Sequence, residues 1–125
     1  MQISHYEAFR TMFIFLDEYY NRKKTDDLGA LLGIITPNLC EDKLPADKAS
    51  FNQWTACLKG IIARTADCDL LSVKESYNVM ISFLRYYENE FGFDFKEVLN
   101  DLKTDSMKKE WIHCIKKIAN KSAYD

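Results

Sequence analysis

Apolar side chains return every three to four residues along almost the whole chain, and that period commits it to helices packed around one core. The first run, Tyr6, Phe9, Met12, Phe13, Leu16, Tyr19 and Tyr20, follows Ser4 and Glu7, which stand at the spacing of a capping box. It predicts a helix ending near Arg22. Thr25, Asp26 and Asp27 open a shorter run (Leu28, Leu31, Leu32, Ile35) that Pro37 closes. Thr36 to Ala46 is polar, proline-bounded and the one long loop. Asp47 is the next cap candidate, ahead of Phe51, Trp54, Leu58, Ile61 and Ile62, with an end near Arg64.

After a polar break at Asp67 and Asp69, Ser72 and Glu75 repeat the capping box. Val73, Tyr77, Met80, Ile81, Leu84 and Tyr87 carry that stripe to about Glu90. Beyond Gly92, Asp94 and Glu97 start a short helix bearing Phe95, Val98, Leu99 and Leu102. Thr104 or Asp105 starts the last, with Met107, Trp111, Ile115 and Ile118 inward. With 125 residues there is material for one core and not two. Four glycines and two prolines supply too few turns for a many-stranded sheet. The expected fold is an all-α single domain, residues 1–125, of about six helices and no strand.

The helix order is long, short, long, given twice. Both first members contain similar text (Phe15, Leu16, Tyr19, Tyr20; Phe83, Leu84, Tyr86, Tyr87), and both third members carry a tryptophan, Trp54 and Trp111. Either a duplicated three-helix unit or the general likeness of aromatic amphipathic helices accounts for this.

Equipment for chemistry is sparse. His113 and Cys114 are adjacent on a helix and point about 100° apart, so they form no dyad. Asp67 and Asp69 lack the glycine and later ligands of a calcium loop. Phosphate-cradling and nucleophile-elbow motifs are absent. The expectation is a non-enzyme without metal or cofactor. Gly29 and Gly33 mark a place where a neighbour packs closely. Cys40, Cys57, Cys68 and Cys114 have no C-x-x-C pairing, and no export leader or membrane-length apolar run is visible, so reduced thiols in a cytoplasmic protein are expected.

Charge is unevenly placed. The net charge is −2, yet residues 103–125 hold six lysines and three acids, leaving the first 102 residues acidic. If successive long helices alternate in direction, one end gathers Glu41, Asp42, Asp47, Glu88, Glu90 and Asp94. Asp26, Asp27, Asp67 and Asp69 then lie at the other end with Arg22, Lys23 and Lys24. The acidic end has two readings. Its carboxylates cap helices and keep the protein soluble, or they steer a basic partner. Tyr86 and Tyr124 fall off the inward stripe and could anchor such a partner. Alternatives from other classes are a nucleic-acid-binding regulator using the lysines of the last helix (Lys108, Lys109, Lys116, Lys117, Lys121) and a small-molecule pocket among the aromatics.

The segments YEAFRTMFIFLDEYY (Tyr6–Tyr20), DDLGALLG (Asp26–Gly33) and LPAD with a following tryptophan (Leu44–Asp47, Trp54) resemble immunity proteins of bacterial contact-dependent growth inhibition systems. These are encoded beside polymorphic toxins, some of them RNase A-like. The likeness covers about the first 65 residues. It implies an inhibitor that binds a cognate toxin, in the first instance a nuclease, and covers its active site. On that implication the six acids Glu41, Asp42, Asp47, Glu88, Glu90 and Asp94 are the expected contact residues, with no direct nucleic-acid or membrane contact.

Overall fold

The computed structural model describes residues 2–35, 48–61 and 70–124. Among these the order is β1 (Gln2–Ser4), α1 (His5–Arg22), α2 (Asp26–Ile35), α3 (Lys48–Ile61), β2 (Leu70–Ser72), α4 (Val73–Phe91), α5 (Lys96–Asp101) and α6 (Asp105–Tyr124). The all-α bundle of six helices is present. The proposed cap Asp47, the long loop and the expected end at Arg64 lie outside the described residues.

The start signals act locally as their chemistry requires. The Ser4 hydroxyl accepts the Glu7 N–H at 3.1 Å and donates to the Glu7 carboxylate at 3.0 Å. At α4 both arms of the capping box are made: Ser72 accepts the Glu75 N–H, and Glu75 accepts the Ser72 N–H at 2.9 Å. Gly92 ends α4 at φ 74°, a conformation that costs a residue with a side chain about 1 kcal/mol or more. α5 begins two residues after Asp94 and not on it; the Asp94 carboxylate reaches forward to accept the Lys96 N–H at 3.1 Å.

Two three-residue strands correct the expectation of none. β1 and β2 pair antiparallel, Gln2 with Ser72, Ile3 with Leu71 and Ser4 with Leu70. Three residues are too few to display alternation, and Ile3 and Leu71, both buried, read equally well as members of helical stripes. The ribbon has a large topological effect. Each strand runs straight into a long helix, so α1 and α4 begin together. They also finish together, because Asp27 just beyond α1 accepts the backbone N–H of Asp94 just beyond α4 at 2.6 Å. Alternation of the long helices α1, α3, α4 and α6 gives α1 and α4 one sense as well; the expectation that fails is the placing of Asp26 and Asp27 at the end opposite Asp94.

The element order recurs as β-α-α-α. Ile3 and Leu71, the central ladder pair, are sixty-eight positions apart, and the same offset relates Ser4 to Ser72, Phe9 to Tyr77, Phe15 to Phe83, Leu16 to Leu84 and Tyr19 to Tyr87. The third helices cross over: α3 lies along α4, and α6 lies along α1. Trp54 accordingly meets Phe9 and Phe83 edge-on at 5.6 and 5.9 Å, while Trp111 meets Tyr77 and Phe15 at 5.8 and 5.3 Å. Each such pair adds about 0.5–1.5 kcal/mol beyond its buried area.

The two halves differ in the partner of the tryptophan N–H. Trp111 donates its indole N–H to the Ser76 hydroxyl at 3.1 Å, and Ser76 donates onward to the Val73 carbonyl. The position matching Ser76 is Ala8, and the buried Trp54 N–H has no acceptor among the described residues. A buried donor left unpaired costs about 1–3 kcal/mol. Ser76→Ala is expected to lower the unfolding free energy by about that amount, and Ala8→Ser to raise it by about 1 kcal/mol, in urea titrations of the intact chain. A loss on Ala8→Ser would mean that position 8 has no room for the hydroxyl.

Of the two glycines of α2, only Gly29 stands against a neighbour. A Cβ there would come within 3.0 Å of the Tyr20 ring, whereas nothing lies within 4 Å of one at Gly33. Gly33→Ala should therefore stabilise by about 0.5–1 kcal/mol, and Gly29→Ala by less or not at all, in the same titrations.

Candidate partner-binding site

The shared end of α1 and α4 brings two turns side by side, residues 23–25 and residues 92–95. Carboxylates organise the second. Asp27 accepts the Asp94 N–H, Glu88 accepts the Phe95 N–H at 3.0 Å, and Asp94 accepts the Lys96 N–H. Between the turns lies a cleft of about 660 Å³ whose charged lining is Asp26, Asp27, Asp94 and Glu97 against Lys96. Asp26 and Asp27 thus belong with Glu88 and Asp94, not at the opposite end. The ribbon that aligns the two helices is the reason.

A second set of bonds holds α5 against α1. Asp101 accepts the Tyr19 hydroxyl at 2.7 Å and the Lys23 ammonium at 2.8 Å, and Lys23 also lies 3.7 Å from Glu97. The Lys23 hydrogen bond, helped by Tyr19, holds the Asp101 carboxyl below its usual range. Burial, then the bond to Asp101, pushes the Tyr19 phenol up. The clustered acids accordingly sit on a braced support.

Beside the cleft, α4 overshoots the core by a turn. Phe91 follows Tyr87 by four residues and is 61% exposed. It is not a loose ring: Tyr86, Tyr87 and Phe93 lie 6.1, 5.2 and 6.4 Å from it, Tyr87 and Phe93 are stacked, and Tyr87 continues inward to Phe83 at 4.9 Å. An exposed aromatic with its neighbours already ordered loses little freedom when a partner covers it.

Of the six expected contact residues, Glu88 and Asp94 are here, half-buried and exposed respectively, and Glu90 is exposed on the last turn of α4. Glu41, Asp42 and Asp47 lie outside the described residues. Tyr86 is half-buried within the ring cluster; the side chain of Tyr124 is not described. Phe91 was missed because its stripe position reads as core. The signal for it was the density of rings in Phe91-Gly92-Phe93 immediately past the expected helix end.

Cys57 and Cys114 are buried free thiols. Burial, then the neighbouring Glu18 carboxylate, pushes the Cys114 thiol up to about 12, and Glu18 is itself paired with Lys117 at 2.8 Å. Among the described residues no group of three histidine, cysteine or carboxylate side chains is placed to hold a metal ion, and no helix is long and apolar enough to cross a membrane. No protein-family model, curated protein or solved structure matches the chain.

Because Asp101 titrates below its ordinary value in the folded protein, the stability it contributes is complete above that value and is lost as pH falls through the folded one. Asp101→Asn should therefore lower the melting temperature at pH 7 and shrink the difference between pH 7 and pH 2–3, read by calorimetry across that range.

Proposed function

We propose that this chain is an immunity protein, a non-enzymatic inhibitor that binds a cognate toxin in the cytoplasm of the producing bacterium and covers its active site. The toxin class favoured is a nuclease. The observation that carries the reading is one juxtaposition: the exposed Phe91, braced by Tyr86, Tyr87 and Phe93, is carried on the same end of the molecule as Glu88, Glu90, Asp94, Asp26 and Asp27. An aromatic anchor ringed by charge is the usual layout of a tight interface. A nuclease cleft is cationic because it holds phosphates, so carboxylates suit the same field and speed encounter. The resemblance of the first half to immunity proteins points the same way.

The test pairs the chain with the toxin domain encoded by the adjoining reading frame. Phe91→Ala should weaken the complex by about 2 kcal/mol or more, roughly thirtyfold, chiefly through faster dissociation. Glu90→Lys with Asp26→Lys should slow association, most at low salt, with little change in dissociation. Surface plasmon resonance separates the two. If both variants bind like the wild type and protect cells fully from the toxin, this end of the molecule is not the interface.

A further inference from the structure

A groove of about 360 Å³ runs between the first turns of α4 and the middle of α6. Its floor is the rings of Tyr77 and Trp111, its walls Val73, Ile112 and the exposed Asn78, and its rim Lys74 on one helix and Lys108 on the other. Neither floor ring has a donor to spare, and the uncharged polar group of the lining is the Asn78 amide. The Tyr77 hydroxyl is spent on the Leu102 carbonyl at 2.6 Å and the Trp111 N–H on Ser76. The two ammoniums are exposed, and neither is in an ion pair among the described residues. An apolar trough between two cations fits a molecule with an apolar body and one negative end.

The internal repeat supplies a second, independent argument. Aligning Ile3 with Leu71 matches Lys74 to Tyr6; aligning Trp54 with Trp111 matches Lys108 to Phe51. The floor is kept between the halves, Phe9 for Tyr77 and Trp54 for Trp111. At the sequence positions matching the two rim lysines the first half has Tyr6 and Phe51. Two conserved floor positions argue that the repeat geometry holds here, so the change at those two positions is a local departure in charge and bulk.

We infer that the groove between α4 and α6 is a binding site for a small amphiphilic carboxylate, its chain or ring lying on Trp111 and Tyr77 and its carboxylate between Lys74 and Lys108. The site is separate from the carboxylate end proposed above. Lys74 and Phe91 are seventeen residues apart on one helix, about 25 Å by its rise. Occupancy can be measured without any toxin.

Sodium octanoate below its micellar concentration is the probe, titrated into the intact chain and followed by calorimetry and by the indole N–H resonance of Trp111. 1-Octanol and acetate are the controls that remove the charge and the chain in turn. Octanoate should bind at one site and shift the Trp111 resonance, with both controls about tenfold weaker or worse. Lys74→Gln with Lys108→Gln should weaken octanoate about tenfold and leave octanol unchanged; both positions are exposed, so the fold is retained. Lys74→Tyr with Lys108→Phe, which restores the residues of the first half, should abolish octanoate binding. Equal binding of octanoate and octanol, indifference of octanoate to the lysine changes, or the absence of saturable binding each overturns the assignment.

Discussion

The ladder between Gln2–Ser4 and Leu70–Ser72 joins the starts of α1 and α4, and most of the molecule's organisation descends from that tie. The strands run antiparallel, yet the helices that follow them start at one ribbon and finish at one end, where Asp27 holds the Asp94 N–H. That end therefore receives both connecting turns, 23–25 and 92–95, with the acids that each carries. An isolated two-stranded ribbon is marginal in water. This one survives because Ile3 and Leu71 are buried beneath it and because each strand is continued by a capped helix. The backbone bonds of the ladder, the caps of Ser4 and Ser72 and the core contacts are thus mutually supporting, as a minimally frustrated sequence requires.

The crossed packing of the third helices explains why the halves do not behave as separate units. Trp54 belongs by sequence to the first half but lies between Phe9 of that half and Phe83 of the other, and Trp111 lies between Tyr77 and Phe15 in the reciprocal way. Phe9 and Phe83 also meet, as do Phe15 and Tyr77. Each half alone would lose the ring that fills its core. A repeat built in this way leaves a reference at every position, so departures from it acquire meaning. Ser76 against Ala8 marks a hydrogen bond gained on one side. Lys74 and Lys108 against Tyr6 and Phe51 mark two sequence positions that are cationic in one half and aromatic in the other.

How far the sequence could be read depended on the range of the interaction. Six helices were legible because period, caps and Gly92 act within a few residues. The likeness of Phe15-Leu16 to Phe83-Leu84 was visible as text, but the recurrence of the order as β-α-α-α needed the ladder, whose two strands are nearly seventy residues apart and three residues long. Without the ribbon the turn after α1 was placed at the wrong end, which moved Asp26 and Asp27 away from Asp94. Phe91 illustrates a different limit: its spacing from Tyr87 is that of a core residue, and only the length of α4 relative to the core beneath it leaves the ring in solvent.

The capping and partner-steering readings of the acidic end are compatible, because the same oxygens have capacity for both. A carboxylate presents about four lone-pair directions. Asp27 and Glu88 each place one oxygen on a backbone N–H of the 92–95 segment and Asp94 places one on that of Lys96, which orients each group and leaves the remaining directions outward. Such oxygens are preorganised: a cationic partner need not immobilise them, so less of the Coulomb attraction is spent on ordering side chains than at a freely rotating surface pair. Glu90 and Asp26, exposed, remain adjustable. In the proposed complex this divides the labour. The backbone-anchored acids define the shape of the negative surface, the mobile ones conform to whatever cation the partner offers, and Phe91 between them sets how long the partner stays.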